Sequence, residues 1–304
     1  MRELPIGVFD SGLGGLTVAR EIMSALPDEG IVYFGDTARC PYGPRSRDEV
    51  REFVFEIGQW LTTQRVKMIV IACNTASAAA LTFARETFDV PVIGVVEPGA
   101  IAAVNATRNK RVGVIGTVGT IESGAYSQAV RALDDSVTVF SVATPRFVEV
   151  VEQGLRLGSD AVEDWLSAMG PVFIRPSFYQ MARDYLNPLK RAGVDTLILG
   201  CTHFPLLAAP IQQVVGMKVR LVSSAEETAR EVARVLGELD QRAPEGGRRV
   251  ESFATSGSAE EFGRFGAKVL GRPIDAVSYV SIAELESLLD DRMHGVLAAE
   301  EVSA

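Results

Sequence analysis

Short runs that are apolar at every position, not at every second one, recur along the whole chain and constrain its fold more than any other feature. They lie at 6–9, 31–34, 68–72, 92–95, 112–115, 137–142, 196–199 and 219–222, and are rich in Val, Ile and Leu. Continuous apolar character suits strands covered on both faces. Amphipathic stretches at 16–25, 47–64, 76–88, 121–133, 178–191 and 225–239 fall between them and predict helices. Strand–helix alternation of this kind implies an α/β fold with mainly parallel sheets. In such sheets a ligand sits beyond the carboxyl ends of the strands.

The bulk numbers exclude several classes. The 304 residues are 47% hydrophobic and 23% charged, which suits a soluble globular protein of one large domain or two medium ones. The formal net charge is −9 and no Lys/Arg cluster interrupts it, which argues against a nucleic-acid or anionic-membrane partner. No apolar run approaches the roughly 20 residues of a membrane span. The beginning MRELPIGVFD enters a strand-like run with no secretory pattern. Three widely spaced cysteines argue against a disulfide framework and for a reducing, cytoplasmic setting. With two histidines and no C-x-x-C or H-E-x-x-H, no metal site is expected.

The chain also contains a degenerate repeat. IGVFDSGLGG (6–15) resembles VGVIGTVGT (112–120), and KMIVIACNT (67–75) resembles DTLILGCTH (195–203). From Asp10 to Cys73 is 63 positions, and from the equivalent Gly116 to Cys201 is 85. The excess of 22 reads as an insertion at about 158–177. Two related α/β lobes would then face each other with one cysteine on each side of a cleft. The segment QRAPEGGRR (241–249) reads as a surface connection, and 294–304 as a helix end or frayed tail.

A lone cysteine after an apolar run is most often an inert core residue. Cys73 and Cys201, however, occur in matched settings. Each follows a strand and a small residue, Ala72 or Gly200, and precedes a turn rich in hydroxyls that opens a helix. A helix N-terminus is expected to lower such a thiol's pKa. Two thiols across a cleft could form a reversible disulfide. They could also perform 1,1-proton transfer, in which one thiolate takes a proton from carbon and the opposite thiol returns one to the other face. Asp10, at the end of the first strand, could assist a thiol or simply form a turn. Glu152 could do the same or be a solvated helix charge, and His203 lies two positions from Cys201. Cys40, in GDTARCPYGPRS, pairs with no evident base and reads as structural.

The glycines at Ser11-Gly12-Leu13-Gly14-Gly15 lack both the G-x-G-x-x-G and the Gly-Lys-Ser/Thr spacing, so a nucleotide site is weakly supported. Asn74, Thr75, Thr117, Thr120 and Thr202 sit where helices begin. They could serve as N-caps, or hold a carboxylate at a helix N-terminus. Tyr42-Gly43 could be an ordinary turn or place backbone donors at the cleft rim.

In order along the chain, VFDSGLGGLTV, YFGDTARCPYG, IACNTASA, VIGTVGTI, VEQG and LGCTHFPLL closely resemble the glutamate racemases of the aspartate/glutamate racemase family. The resemblance runs from Pro5 to about Leu270. It implies a cofactor-independent isomerase that interconverts L- and D-glutamate and supplies D-glutamate for bacterial peptidoglycan. It implies Cys73 and Cys201 as the paired acid/base residues, with Asp10 assisting Cys73, and Glu152 and His203 assisting Cys201. Ser11, Tyr42, Gly43, Asn74, Thr75, Thr117 and Thr202, with Asp10 and His203, would hold the substrate. The implied fold is two pseudo-symmetric α/β domains, about 1–98 plus 208–304 and about 99–207, and a homodimer is expected. Phe204 stands where the family often has Tyr, and the 158–177 insertion and the tail beyond Leu270 depart from its pattern. Aspartate or another amino acid as substrate, a dithiol redox protein, and a non-catalytic binder of acidic amino acids remain open at this point.

Overall fold

The computed structural model describes residues 1–157, 176–247 and 249–288. The insertion expected at 158–177 lies almost wholly outside the described residues, as does the tail at 294–304.

Among the described residues ten strands form two sheets. Strands β1 (Ile6–Asp10), β2 (Ile31–Gly35), β3 (Met68–Ile71) and β4 (Val92–Gly94) alternate with helices α1 (Leu16–Ala25), α2 (Arg47–Thr63) and α3 (Asn74–Thr87). Helix α4 (Val96–Ala106) then leads to β5 (Arg111–Gly116). Helices α5 (Val118–Glu122) and α6 (Ala125–Leu133) lead to β6 (Thr138–Ala143). After α7 (Pro145–Leu157) and α8 (Pro176–Arg191) come β7 (Thr196–Gly200), a 3-10 turn (Phe204–Leu207), α9 (Ala208–Val215) and β8 (Arg220–Ser223). Helix α10 (Ser224–Glu238) is followed by β9 (Glu251–Thr255), α11 (Ala259–Leu270), β10 (Val277–Tyr279) and α12 (Ile282–Glu286).

The six-stranded sheet runs β10-β9-β2-β1-β3-β4 and the four-stranded sheet β6-β5-β7-β8. Every pairing in both is parallel. The order 2-1-3-4 recurs as 6-5-7-8, so the weak repeat in the sequence is a duplicated topology. Strand β1 corresponds to β5 and β3 to β7, the pairs that the two matched motifs suggest. The final pair β9 and β10 has no counterpart and extends the first sheet beyond β2.

Two-sided burial explains the continuous apolar runs. Ile6 and Val8 enter one core and Phe9 the other, while Met68 and Val70 alternate with Ile69 and Ile71 in the same way. The pattern fails at the edges: β6 and β8 are mostly half-exposed, although their sequences read as fully covered. The helix expected at 121–133 is two helices, because Gly124 takes a left-handed φ of 65° between α5 and α6. Strand β8, beyond residue 208, pairs with β7 in the second sheet.

The two lobes exchange their fourth helices. Helix α4 follows β4, but its Val96, Ala100 and Ala103 pack with Val112, Val114, Ile198 and Val222 of the second sheet. Helix α10 follows β8, yet its Ala225, Ala229 and Val232 share a core with Leu16, Val18 and Ile22 of the first lobe. The Pro98-Gly99 pair in α4 reads as a turn in sequence. Pro is tolerated there because a helix's first turn has no intrahelical N–H bond to lose.

Candidate active site

The carboxyl ends of the paired central strands β1 and β3, and of β5 and β7, carry the residues that line one cavity of about 220 Å³. Cys73 and Cys201 are both in its wall, together with Ser11, Tyr42, Gly43, Asn74, Thr75, Thr117, Thr202 and His203. Ten of the eleven residues expected to carry a thiol or bind substrate thus line the cavity, Asp10 being the exception. Asp10 and Glu152 stand behind the wall rather than in it.

Cys73 is the N-cap of α3, and its Sγ accepts from the Ala76 N–H at 3.5 Å and donates to Ser11 Oγ at 3.8 Å. The expected lowering of its pKa is overturned. Burial and the nearby Asp10 carboxylate push the thiol up to about 12, against the weaker pull of the Ala76 N–H and Ser11. Asp10 is fully buried. Its Oδ2 accepts from the Gly12 N–H at 3.0 Å and its Oδ1 from Thr202 Oγ1 at 3.4 Å. Burial holds its pKa above the ordinary carboxylate value, and His203 and these donors only partly oppose this.

Cys201 is served differently. Its Sγ lies 3.8 Å from His203 Nδ1, and His203 Nε2 lies 2.7 Å from Glu152 Oε1. Burial alone would lower the histidine's pKa, but the contacts with Cys201 and Glu152 outweigh it and hold the imidazolium form well above its ordinary range. Glu152 is lowered in turn, because the His203 contact outweighs its own burial. In the repeat, Gly116 occupies the place of Asp10, so the second thiol has no strand-end carboxylate. Helix α7 supplies Glu152 instead.

The remaining expected residues divide by role. Thr75 Oγ1 meets Thr117 Oγ1 at 2.9 Å, and Thr117 meets Thr120 at 3.0 Å, so a cluster of hydroxyls joins the lobes at the cavity wall. Tyr126 donates to Asn74 Oδ1 at 2.6 Å, while the buried Asn74 Nδ2 has no partner among the described residues. The Tyr42 hydroxyl turns away from the cavity onto Asp36, which also receives Arg39 at 2.7 Å. Cys40, read from sequence as structural, lines the cavity beside Pro41, as do Val148 and Glu149 of α7. Its place two residues before Tyr42-Gly43 was the available signal. Among the described residues no group of three or more His, Cys, Asp or Glu side chains is placed to hold a metal.

The glycine-rich turn after β1 has a packing role. A Cβ on Gly14 would stand 2.4 Å from Thr202 Oγ1 and 2.6 Å from His203 Nδ1. Only the missing side chain lets the first lobe's turn press against the second lobe's Cys201-Thr202-His203. Gly43 does the same opposite Thr117, where a Cβ would come within 2.9 Å.

A duplicated parallel α/β fold with one thiol delivered from each half into a shared buried cavity defines a two-lobed enzyme whose site lies between its halves. Residues 6–232 match the family model for Asp/Glu/hydantoin racemases. A glutamate racemase of Mycobacterium leprae is 50% identical over 285 residues, covering 93% of this chain and 97% of its own. The crystal structure of a glutamate racemase isoform from Bacillus anthracis has a TM-score of 0.83 at 43% identity, over 93% of this chain and 99% of that one. A glutamate racemase from Francisella tularensis in complex with D-glutamate has a TM-score of 0.81 at 31% identity, over 94% and 100%. The chain belongs to the Asp/Glu/hydantoin racemase family and is an isomerase.

Proposed function

We propose that the protein racemises glutamate by two-base proton transfer between Cys73 and Cys201. The observation that carries this reading is that one buried cavity has both thiols in its wall, each with its own acid/base support. The relatives named above are glutamate racemases, and one was solved with D-glutamate.

In one direction a Cys73 thiolate removes the Cα proton and the Cys201 thiol delivers its proton to the opposite face. The products are a Cys73 thiol, a Cys201 thiolate and the inverted amino acid. The reverse direction exchanges the two roles. Asp10, kept basic by burial, is the acceptor for the Cys73 proton when the site is charged. The ammonium group of a bound amino acid adds a positive charge that favours the thiolate. His203, held cationic by Glu152, stabilises a Cys201 thiolate. The substrate carboxylates meet Asn74 Nδ2, the hydroxyls of Ser11, Thr75, Thr117 and Thr202, and the N-terminus of α3. No Lys or Arg is in the described wall, so these neutral donors would do the binding.

In this reading the reaction uses no cofactor, and its product supplies D-glutamate for peptidoglycan in the cytoplasm. In the same reading each sheet belongs to its own domain, and the chain acts as a homodimer. Circular dichroism of L-glutamate turnover without added cofactor tests the activity. Wild type should bring the signal to zero, whereas Cys73→Ala and Cys201→Ala should each leave it unchanged. Turnover of L-aspartate with none of L-glutamate would overturn the choice of substrate. Racemisation by either alanine variant above a few per cent would overturn the two-base scheme.

A further inference from the structure

The pair β9–α11 and β10 falls outside the duplicated plan and outside the residues 6–232 that match the family. Lys268 carries this appended unit across to the second lobe. Lys268, in α11, is 1% exposed, and its Nζ donates to the Leu155 carbonyl at 3.0 Å. Leu155 is in the last turn of α7, three residues from Glu152.

Helix α7 is seated on the second lobe along one face. Phe147, Val151 and Leu155 are buried there, with the Phe147 ring 5.6 Å from Phe204 and 5.9 Å from Phe178. Beside α11 a second cavity of about 320 Å³ lies between α7 and the first lobe, lined by Glu149, Glu152 and Arg156 of α7, by Phe262 and Phe265 of α11 and by Leu13 and Cys40 of the first lobe. The flank that carries Glu152 therefore borders this cavity, and the Lys268 bond crosses the seam at its end. The Phe265 ring lies 5.5 Å from Nζ and fills part of the apolar surround of this lysine.

We infer that Lys268 is a positioning residue for the Cys201 half of the reaction: it ties the end of α7 to the first lobe and so keeps Glu152 in register with His203. This rests on the proposed role of Cys201 as one of two bases. Without the tie, the end of α7 can shift toward this cavity, and the 2.7 Å contact between Glu152 and His203 lengthens. A displacement of about 1 Å in a catalytic array costs on the order of a hundredfold in rate.

The test compares Lys268→Met, Lys268→Arg and Glu152→Gln in the full chain, using kcat/KM for glutamate and the NMR titration of His203. His294 is the one other histidine, so the two resonances are assigned with a His294→Gln variant. We expect Lys268→Met to lower kcat/KM roughly ten- to a hundredfold and to move the His203 titration to lower pH. Lys268→Arg should restore most of both. The double variant with Glu152→Gln should be no slower than Glu152→Gln alone, because both act through one contact. Should Lys268→Met not fold, Lys268→Gln, which is polar but one atom too short to reach the Leu155 carbonyl, gives the same readings. A lower melting temperature with kcat/KM and the His203 titration unchanged overturns the inference, and so does a multiplicative double variant. Failure of the two-base reading shows elsewhere, as racemisation retained by Cys201→Ala, and leaves the His203 titration of Lys268→Met as an independent result.

Discussion

In the proposed mechanism Asp10 serves chemistry at the expense of stability. A carboxyl whose folded pKa is raised stabilises the fold fully below its ordinary value of 3.8. That contribution is lost as pH rises through the folded value. At neutral pH the wild type therefore carries the cost of a buried carboxylate. Asp10→Asn removes it and retains acceptor and donor atoms for Gly12 and Thr202. The variant should melt at a higher temperature than wild type near pH 8, with the gap closing toward pH 4. Its racemisation should fall by roughly 10²–10⁴, the usual share of a general acid/base group. Melting curves across that range check the sign, and a less stable variant at pH 8 would contradict it. At this scale the sequence was partly readable. Cys73, Cys201 and the strand-end Asp10 stand out because strand ends in parallel sheets face the ligand. The raised pKa of Cys73 does not, because it depends on how completely the second lobe covers the thiol. Tyr42-Gly43 reads equally as an ordinary turn or as cleft rim, and the turn of the Tyr42 hydroxyl toward Asp36 depends on tertiary packing.

At the level of elements, periodicity gave the eight strands of the repeat and most of the helices between them. It failed where packing overrides local signals. Helix α4 was hidden by Pro98-Gly99. Strands β9 and β10 were hidden because their polar residues do not form a continuous apolar run. The connection at 241–249, correctly read as a surface segment, is nonetheless anchored. Lys67, at the entrance to β3, is 1% exposed and pairs with Glu29 at 2.5 Å. It also donates to the carbonyls of Arg2 at 2.9 Å and Gln241 at 2.8 Å. Glu29 in turn accepts from the Ala243 N–H at 2.8 Å. One buried ion pair thus gathers the chain's beginning, the edge of β3 and the crossing to β9. Lys67→Met leaves Glu29 charged and uncompensated, and should cost about 3–5 kcal/mol. Denaturant unfolding measures this. A loss below 1 kcal/mol would show that the pair does not anchor these segments.

For the whole molecule, the duplicated order 2-1-3-4 and 6-5-7-8 makes the halves look like independent lobes, and the sequence repeat suggests as much. The cores say otherwise, since α4 completes the second sheet and α10 buries its apolar side against α1. Loosening one half should therefore loosen the other. Ile198→Ala, deep in the second sheet, should cost about 2–5 kcal/mol. It should lower a single unfolding transition seen alike by near-ultraviolet and far-ultraviolet dichroism. Two separated transitions, with only one shifted, would show that the lobes melt apart.

That interleaving has a bearing on how the chain can be divided. If translation is split in the turn between α4 and β5, each fragment carries away a helix its neighbour requires and keeps a greasy trough where the neighbour's helix belongs. Made singly, both pieces should precipitate. Made together, they should find each other and regain a working cleft, each supplying one sulfur.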